Sequence, residues 1–133
     1  MRLVVDTGVF SASLGRREIS GGVADLVGLD QQQVFLAAQT VAELRYGAML
    51  ARWGDARVAR LEAAIASTTI VQVTRTSMTA TATLRLACRS IGHPLAQRVH
   101  NADLWIAASA VHIGATLVTT DKVFEGAPSL LVA

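Results

Sequence analysis

Short unbroken apolar runs alternate with longer stretches of helical periodicity along this chain. Residues 3–6 (LVVD) predict a short, fully buried strand, followed by a helix over 7–14 that ends near Gly15. Residues 18–28 predict a second, weaker helix, interrupted by Gly21-Gly22. The next buried strand falls at 34–38 (VFLAA), and helices follow over 40–53 and, after Gly54, 55–67. A strand at 69–73 and a long helix over 75–91 come next, the latter ended by Gly92-His93-Pro94. After a loop, residues 101–114 form a helix closed by Gly114, and 116–120 and 129–133 are the last strands. Short apolar strands separated by helices indicate an α/β fold: a parallel sheet covered by helices on both faces, an α/β/α sandwich. In such sheets ligands bind beyond the carboxyl ends of the strands.

Composition narrows this picture. The chain has 133 residues, enough for one domain with its own core, so a single domain over 1–133 is expected. It is 52% hydrophobic and 17% charged, which argues against disorder. No apolar stretch approaches the ~20 residues that span a bilayer, and Asp6 interrupts the apolar start too early for a signal peptide. The lone cysteine, Cys88, has no internal partner, which fits a reducing cytosol; its simplest reading is a small buried hydrophobe. Twelve Lys and Arg against ten Asp and Glu give +2. All the cations but Lys122 are arginine, which is suited to forked contact with phosphate. Gathering a few acids into one pocket leaves the remaining surface basic, as a nucleic-acid partner requires.

Four acids stand in unusual places. Asp6 ends the first strand and enters a helix, where it can simply cap the helix. Asp121 follows a later strand, where turn chemistry also suits it. Parallel strands bring both to one sheet edge. Glu43 lies in the first turn after 34–38, and Thr40-Val41-Ala42-Glu43 matches the S/T-x-x-E capping box. Asp103 opens a helix with almost no polar side, where it can simply favour the helix dipole as a first-turn acid; if the helix start is interior, its carboxylate needs a partner, a metal or a proton. Converging carboxylates repel, and a hard divalent cation such as Mg²⁺ or Mn²⁺ relieves the repulsion. His93, His100, His112 and Cys88 show no zinc spacing.

Four stretches, VVDTGVF (4–10), TVAELRYGAML (40–50), HNADLWIAASA (100–110) and LVTTDKVF (117–124), resemble the PIN-domain ribonucleases, and among them the VapC toxins of toxin–antitoxin pairs. Their order and spacing cover essentially the whole chain. The resemblance implies a metal-dependent endoribonuclease whose acidic quartet falls on Asp6, Glu43, Asp103 and Asp121, holding Mg²⁺ or Mn²⁺. It places a supporting hydroxyl at Thr119, with Thr7 and Asn101 as further supporting positions. Gly8 departs from the pattern, standing where many members carry Ser, and Asn101 stands where some carry another acid. The resemblance further implies an RNA substrate, a VapB-type antitoxin partner, a homodimer and a cytoplasmic location.

Arg16, Arg17, Arg45, Arg98 and Lys122 lie near the predicted site edge and are candidates for RNA phosphate contact. Each suits a solvated surface equally well. Trp53 and Trp105 can stack on bases, though Trp105 falls within the apolar helix and Trp53 suits a partner surface. His100 precedes Asp103 by one helical turn. Small and apolar positions in 7–28 and 40–67 suggest a groove for an antitoxin segment. An aspartic protease, suggested by Asp6-Thr7-Gly8, conflicts with the alanine-rich helices. A phosphatase of the haloacid-dehalogenase type needs an acid at position 8. The reading to set against the enzyme is a catalytically silent PIN-like module that only binds RNA or an antitoxin.

Overall fold

The computed structural model describes residues 1–14 and 33–133. The helix expected over 18–28 and the candidates Arg16 and Arg17 lie outside these residues. Strand β1 (Arg2–Val5) leads into helix α1 (Thr7–Leu14). Then come β2 (Gln33–Ala37), α2 (Ala38–Leu50), α3 (Asp55–Ala66), β3 (Thr69–Val71), α4 (Arg75–Ser90), α5 (Asn101–Ile113), β4 (Thr116–Val118) and β5 (Leu131–Val132). The strands form one parallel sheet in the order β3-β2-β1-β4-β5.

Side-chain alternation in the strands supplies two cores. Leu3 and Val5 of β1, Leu36 of β2 and Val118 of β4 pack with Val9, Phe10, Val41, Leu44, Leu61 and Ile65, from α1, α2 and α3. The intervening Val4, Ala37 and Leu117 face the other way, onto Leu84 and Cys88 of α4 and Leu104, Ile106 and Ala107 of α5. Both faces are therefore covered, as unbroken apolar strands require. Cys88 is fully buried in the second core, and burial raises its thiol pKa. It behaves as a small hydrophobe.

The chain leaves β1 toward β2 and β3 on one side, while β4 and β5 lie on the other. The carboxyl ends of β1 and β4 thus flank the switch point of the sheet, where open α/β sheets form a crevice. Asp6 N–H donates to Val118 O at 3.0 Å, which carries the pairing one residue past β1 and fixes Asp6 at that crevice.

Most bounds shift by a few residues, and two differences change the reading. Helix α2 begins at Ala38 directly after β2, with Ala37 at its cap position and no side-chain cap. Thr40 is therefore inside the helix and the capping box around Glu43 does not form. The real capping box is at Thr74, whose hydroxyl accepts from Ser77 N–H while Ser77 Oγ accepts from Thr74 N–H. The expected loop before α5 holds two 3-10 turns, Pro94–Ala96 and Arg98–His100. Buried His93 pins the first: its Nδ1 accepts Leu95 N–H at 3.1 Å, so Nε2 carries the proton toward Glu125 O at 2.8 Å.

Candidate active site at the carboxyl edge of the sheet

Asp6 is buried, and every oxygen it exposes to the protein is used. Its carbonyl accepts Phe10 N–H at 3.0 Å and its Oδ1 accepts Gly8 N–H at 2.6 Å, so it caps α1. Its Oδ2 accepts the Thr119 hydroxyl. That hydroxyl oxygen in turn accepts Asp121 N–H at 3.0 Å. Thr119 therefore joins the ends of β1 and β4 through one atom. Asp121 is exposed, and its Oδ1 accepts Val123 N–H at 2.9 Å, capping the 3-10 turn Lys122–Phe124. The capping and turn roles read for Asp6 and Asp121 are thus present, and they also hold both carboxylates at one edge.

Helix α2 brings Glu43 to the same place. The Thr7 hydroxyl reaches Glu43 Oε1 at 3.3 Å and Thr40 Oγ1 at 3.1 Å; with one proton it donates to one of them at a time. Thr40, fully buried, is the supporting residue that sequence reasoning missed, because its pattern read as a cap. Asp103 enters from the first turn of α5, and His100 Nδ1 stands 3.5 Å from its Oδ2.

Glu43 and Asp103 both respond to the neighbouring acids. Burial raises the Glu43 pKa above the ordinary range, and the charges of Asp103 and Asp6 add to this while the Thr7 hydrogen bond opposes it. Asp103 is also raised, first by burial and then by Asp121 and Asp6, against the opposing His100. Among the described residues no Lys or Arg pairs with any of the four. Their hard oxygen donors and uncompensated charge fit a divalent cation. Among the described residues, however, no three such side chains converge closely enough to cage an ion by themselves.

The other candidates are more scattered. Arg45 is engaged by Glu62 in a two-pronged pair, Nη2 to Oε1 at 2.7 Å and Nε to Oε2 at 3.3 Å. Arg98 and Lys122 are exposed, one in the turn before α5 and the other directly after Asp121. Asn101 is exposed at the start of α5 and lines a cavity between α4 and α5, with no hydrogen bond to the acids. A Cβ at Gly8 would lie 3.5 Å from Asp6 Oδ1, an ordinary contact, so the departure from Ser leaves the backbone N–H in use and the space open. Trp53 lies beneath the Arg57 guanidinium at 3.9 Å, and Trp105 is half-buried.

A three-layer parallel α/β fold with acids gathered at its switch point defines a class, and the family comparison agrees. The PIN domain model matches residues 3–129, and the chain belongs to the PIN-domain family. Among solved structures it is similar to DNA-bound VapBC from Salmonella typhimurium, at 20% identity and a TM-score of 0.84 over 100% of this chain and 97% of that one. VapBC2 from Rickettsia felis, bound to a DNA fragment from its promoter, gives 21% identity and 0.82 over 100% and 98%. FitAcB from Neisseria gonorrhoeae gives 28% and 0.75 over 98% and 95%. No curated protein matches the sequence. Among the described residues, no helix is long and apolar enough to cross a membrane.

Proposed function

We propose that the chain is the toxin of a toxin–antitoxin pair, a single-domain endoribonuclease that hydrolyses RNA with Mg²⁺ or Mn²⁺. The observation that carries this is the placement of Asp6, Glu43, Asp103 and Asp121 at the switch point of a PIN fold, with Thr119 tying Asp6 to Asp121 and Thr7 holding Glu43. A module that only binds RNA or an antitoxin has no need of four acids at one edge of the sheet.

Asp6 and Asp103 would be the central metal ligands, with Glu43 and Asp121 completing the set directly or through water. A divalent ion held by these residues would supply a water of lowered pKa and positive charge beside the scissile phosphate. The chain supplies the frame. Gly8 N–H and the Thr119 hydroxyl fix both oxygens of Asp6, and Thr7 orients Glu43. His100 lies where it can share a proton with Asp103.

The structures of complexes with antitoxin partners support a VapB-type antitoxin for this chain too. The groove expected between 7–28 and 40–67 lies partly outside the described residues. Within 40–67, a ≈560 Å³ cleft between α2 and α3, lined by Met49, Trp53, Val58 and Leu61 with Arg52 at its rim, offers apolar surface to such a partner. A homodimer and a cytoplasmic location complete the reading.

Purified protein is expected to cleave RNA with Mg²⁺ or Mn²⁺ and to stop with EDTA. Asp6→Asn is expected to lose at least ~100-fold in rate, since positioned metal ligands typically carry this much or more. Full-rate cleavage by Asp6→Asn would sink the mechanism, and tight RNA binding without any cleavage would favour the silent module. Expression is expected to halt growth until the neighbouring antitoxin is supplied.

A further inference from the structure

A groove of ≈630 Å³ runs between α4 and α5 and reaches the head of α5 at Asn101, two residues before Asp103. Arg85 and Arg89 stand on its wall one helical turn apart, both exposed and neither ion-paired among the described residues. Its floor is Leu104 and the half-buried face of Trp105, whose indole N–H has no hydrogen-bond partner among the described residues. The same indole forms a wall of a second cavity of ≈300 Å³ beside Gln39 and Ala42, one turn and one residue before Glu43. Trp105 thus stands between two openings, each of which adjoins an element that carries a site acid.

We propose that this groove binds the single-stranded RNA flanking the cleavage point, with a base stacked on Trp105 and phosphates held by Arg85 and Arg89. The inference rests on the ribonuclease reading and adds a binding track to it. An unpaired base has an aromatic face that stacks on a tryptophan without regard to sequence, and two free guanidiniums one turn apart suit successive phosphates. A duplex cannot use the track, because its bases are already stacked. Exposed Met78 and Leu86 at the rim raise a second copy of the chain as the competing occupant. A symmetric contact there would enclose two pairs of uncompensated arginines, which burial of charge opposes. RNA brings the compensating charge itself.

The test is fluorescence anisotropy of a labelled mixed-sequence RNA 12-mer and of its duplex, in EDTA at several salt concentrations, beside sedimentation of the same samples. Arg85→Ala/Arg89→Ala is expected to weaken single-strand binding about tenfold or more and to lower the salt slope by about 1.4, at ~0.7 per lost phosphate contact. Trp105→Leu is expected to weaken single-strand binding by about 5- to 150-fold and to leave duplex binding unchanged. The control Arg60→Ala, at an exposed arginine outside both grooves, is expected to bind as the wild type does. Circular dichroism confirms that each variant is folded, and Trp105→Phe, which keeps a stacking face, is expected to recover most of the affinity. Unchanged affinity and salt slope in both groove variants overturns the proposal. So does a dimer that these variants dissociate while RNA affinity holds. Binding as expected but no cleavage with Mg²⁺ defeats the ribonuclease reading and leaves the track standing. Cleavage by the arginine variant with unchanged KM does the reverse.

Discussion

The chemistry of the site is concentrated on single atoms, and the Thr119 hydroxyl is the clearest. It donates to buried Asp6 and accepts from Asp121 N–H, so one oxygen serves the carboxyl ends of two strands. Removing it leaves a buried carboxylate oxygen and a backbone donor without partners, the more costly way to lose a hydrogen bond. Thr119→Val, close in shape, is expected to cost about 1–3 kcal/mol in urea denaturation and to reduce cleavage through a misplaced Asp6. Thr119→Ser keeps the hydroxyl and is expected to restore activity. A valine variant with wild-type stability would show that Thr119 is not the link between the strands. At residue scale the sequence showed that Thr119 precedes Asp121 by two positions. It could not show the bond to Asp6, which spans 113 residues of chain.

Elements were legible where punctuation is strong. Helix α5 ends where Gly114 predicts, in the left-handed conformation at φ 65°, and its N–H returns to the helix carbonyls. Because a Cβ there would meet nothing within 4 Å, Gly114→Ala tests backbone conformation alone. It is expected to cost about 1 kcal/mol by thermal denaturation and to leave cleavage unchanged, since the acids sit at the other end of α5. A neutral result would mean that the cap relaxes to a right-handed turn. Where punctuation is absent the reading slipped. Ala37-Ala38 joins β2 to α2 without a loop, so nothing in the sequence marks the true start, and Thr40 passed for a cap. The proposed RNA contacts were hidden for a different reason. Arg45 is held by Glu62 on the next helix, while Arg85 and Arg89 read as ordinary surface until α5 packs beside α4 and creates a groove.

At the scale of the whole molecule, the acids of the site bear on the stability of the fold. Glu43 and Asp103 both have pKa values raised in the native state, chiefly by burial and then by neighbouring acids. The folded protein therefore binds these protons more tightly than the unfolded chain does. Stability from this source is complete below the unfolded carboxylate values, about pH 4, and is lost as pH rises through the higher native ones. In EDTA, the difference in Tm between Glu43→Gln/Asp103→Asn and the wild type is expected to grow in favour of the variant over that rise. A divalent cation binds the deprotonated native site and not the unfolded chain, so millimolar Mg²⁺ is expected to raise the wild-type Tm at neutral pH by mass action. The variant has lost two of the four acids and is expected to gain little. Thermal scans from pH 4 to 8, with EDTA or Mg²⁺, read both effects without depending on catalysis. A pH-independent difference would separate these carboxyls from the stability of the fold, and an equal Mg²⁺ gain in both proteins would place the ion elsewhere. If both effects appear together, the repulsion that destabilises the metal-free site is the same force that draws the cation to it.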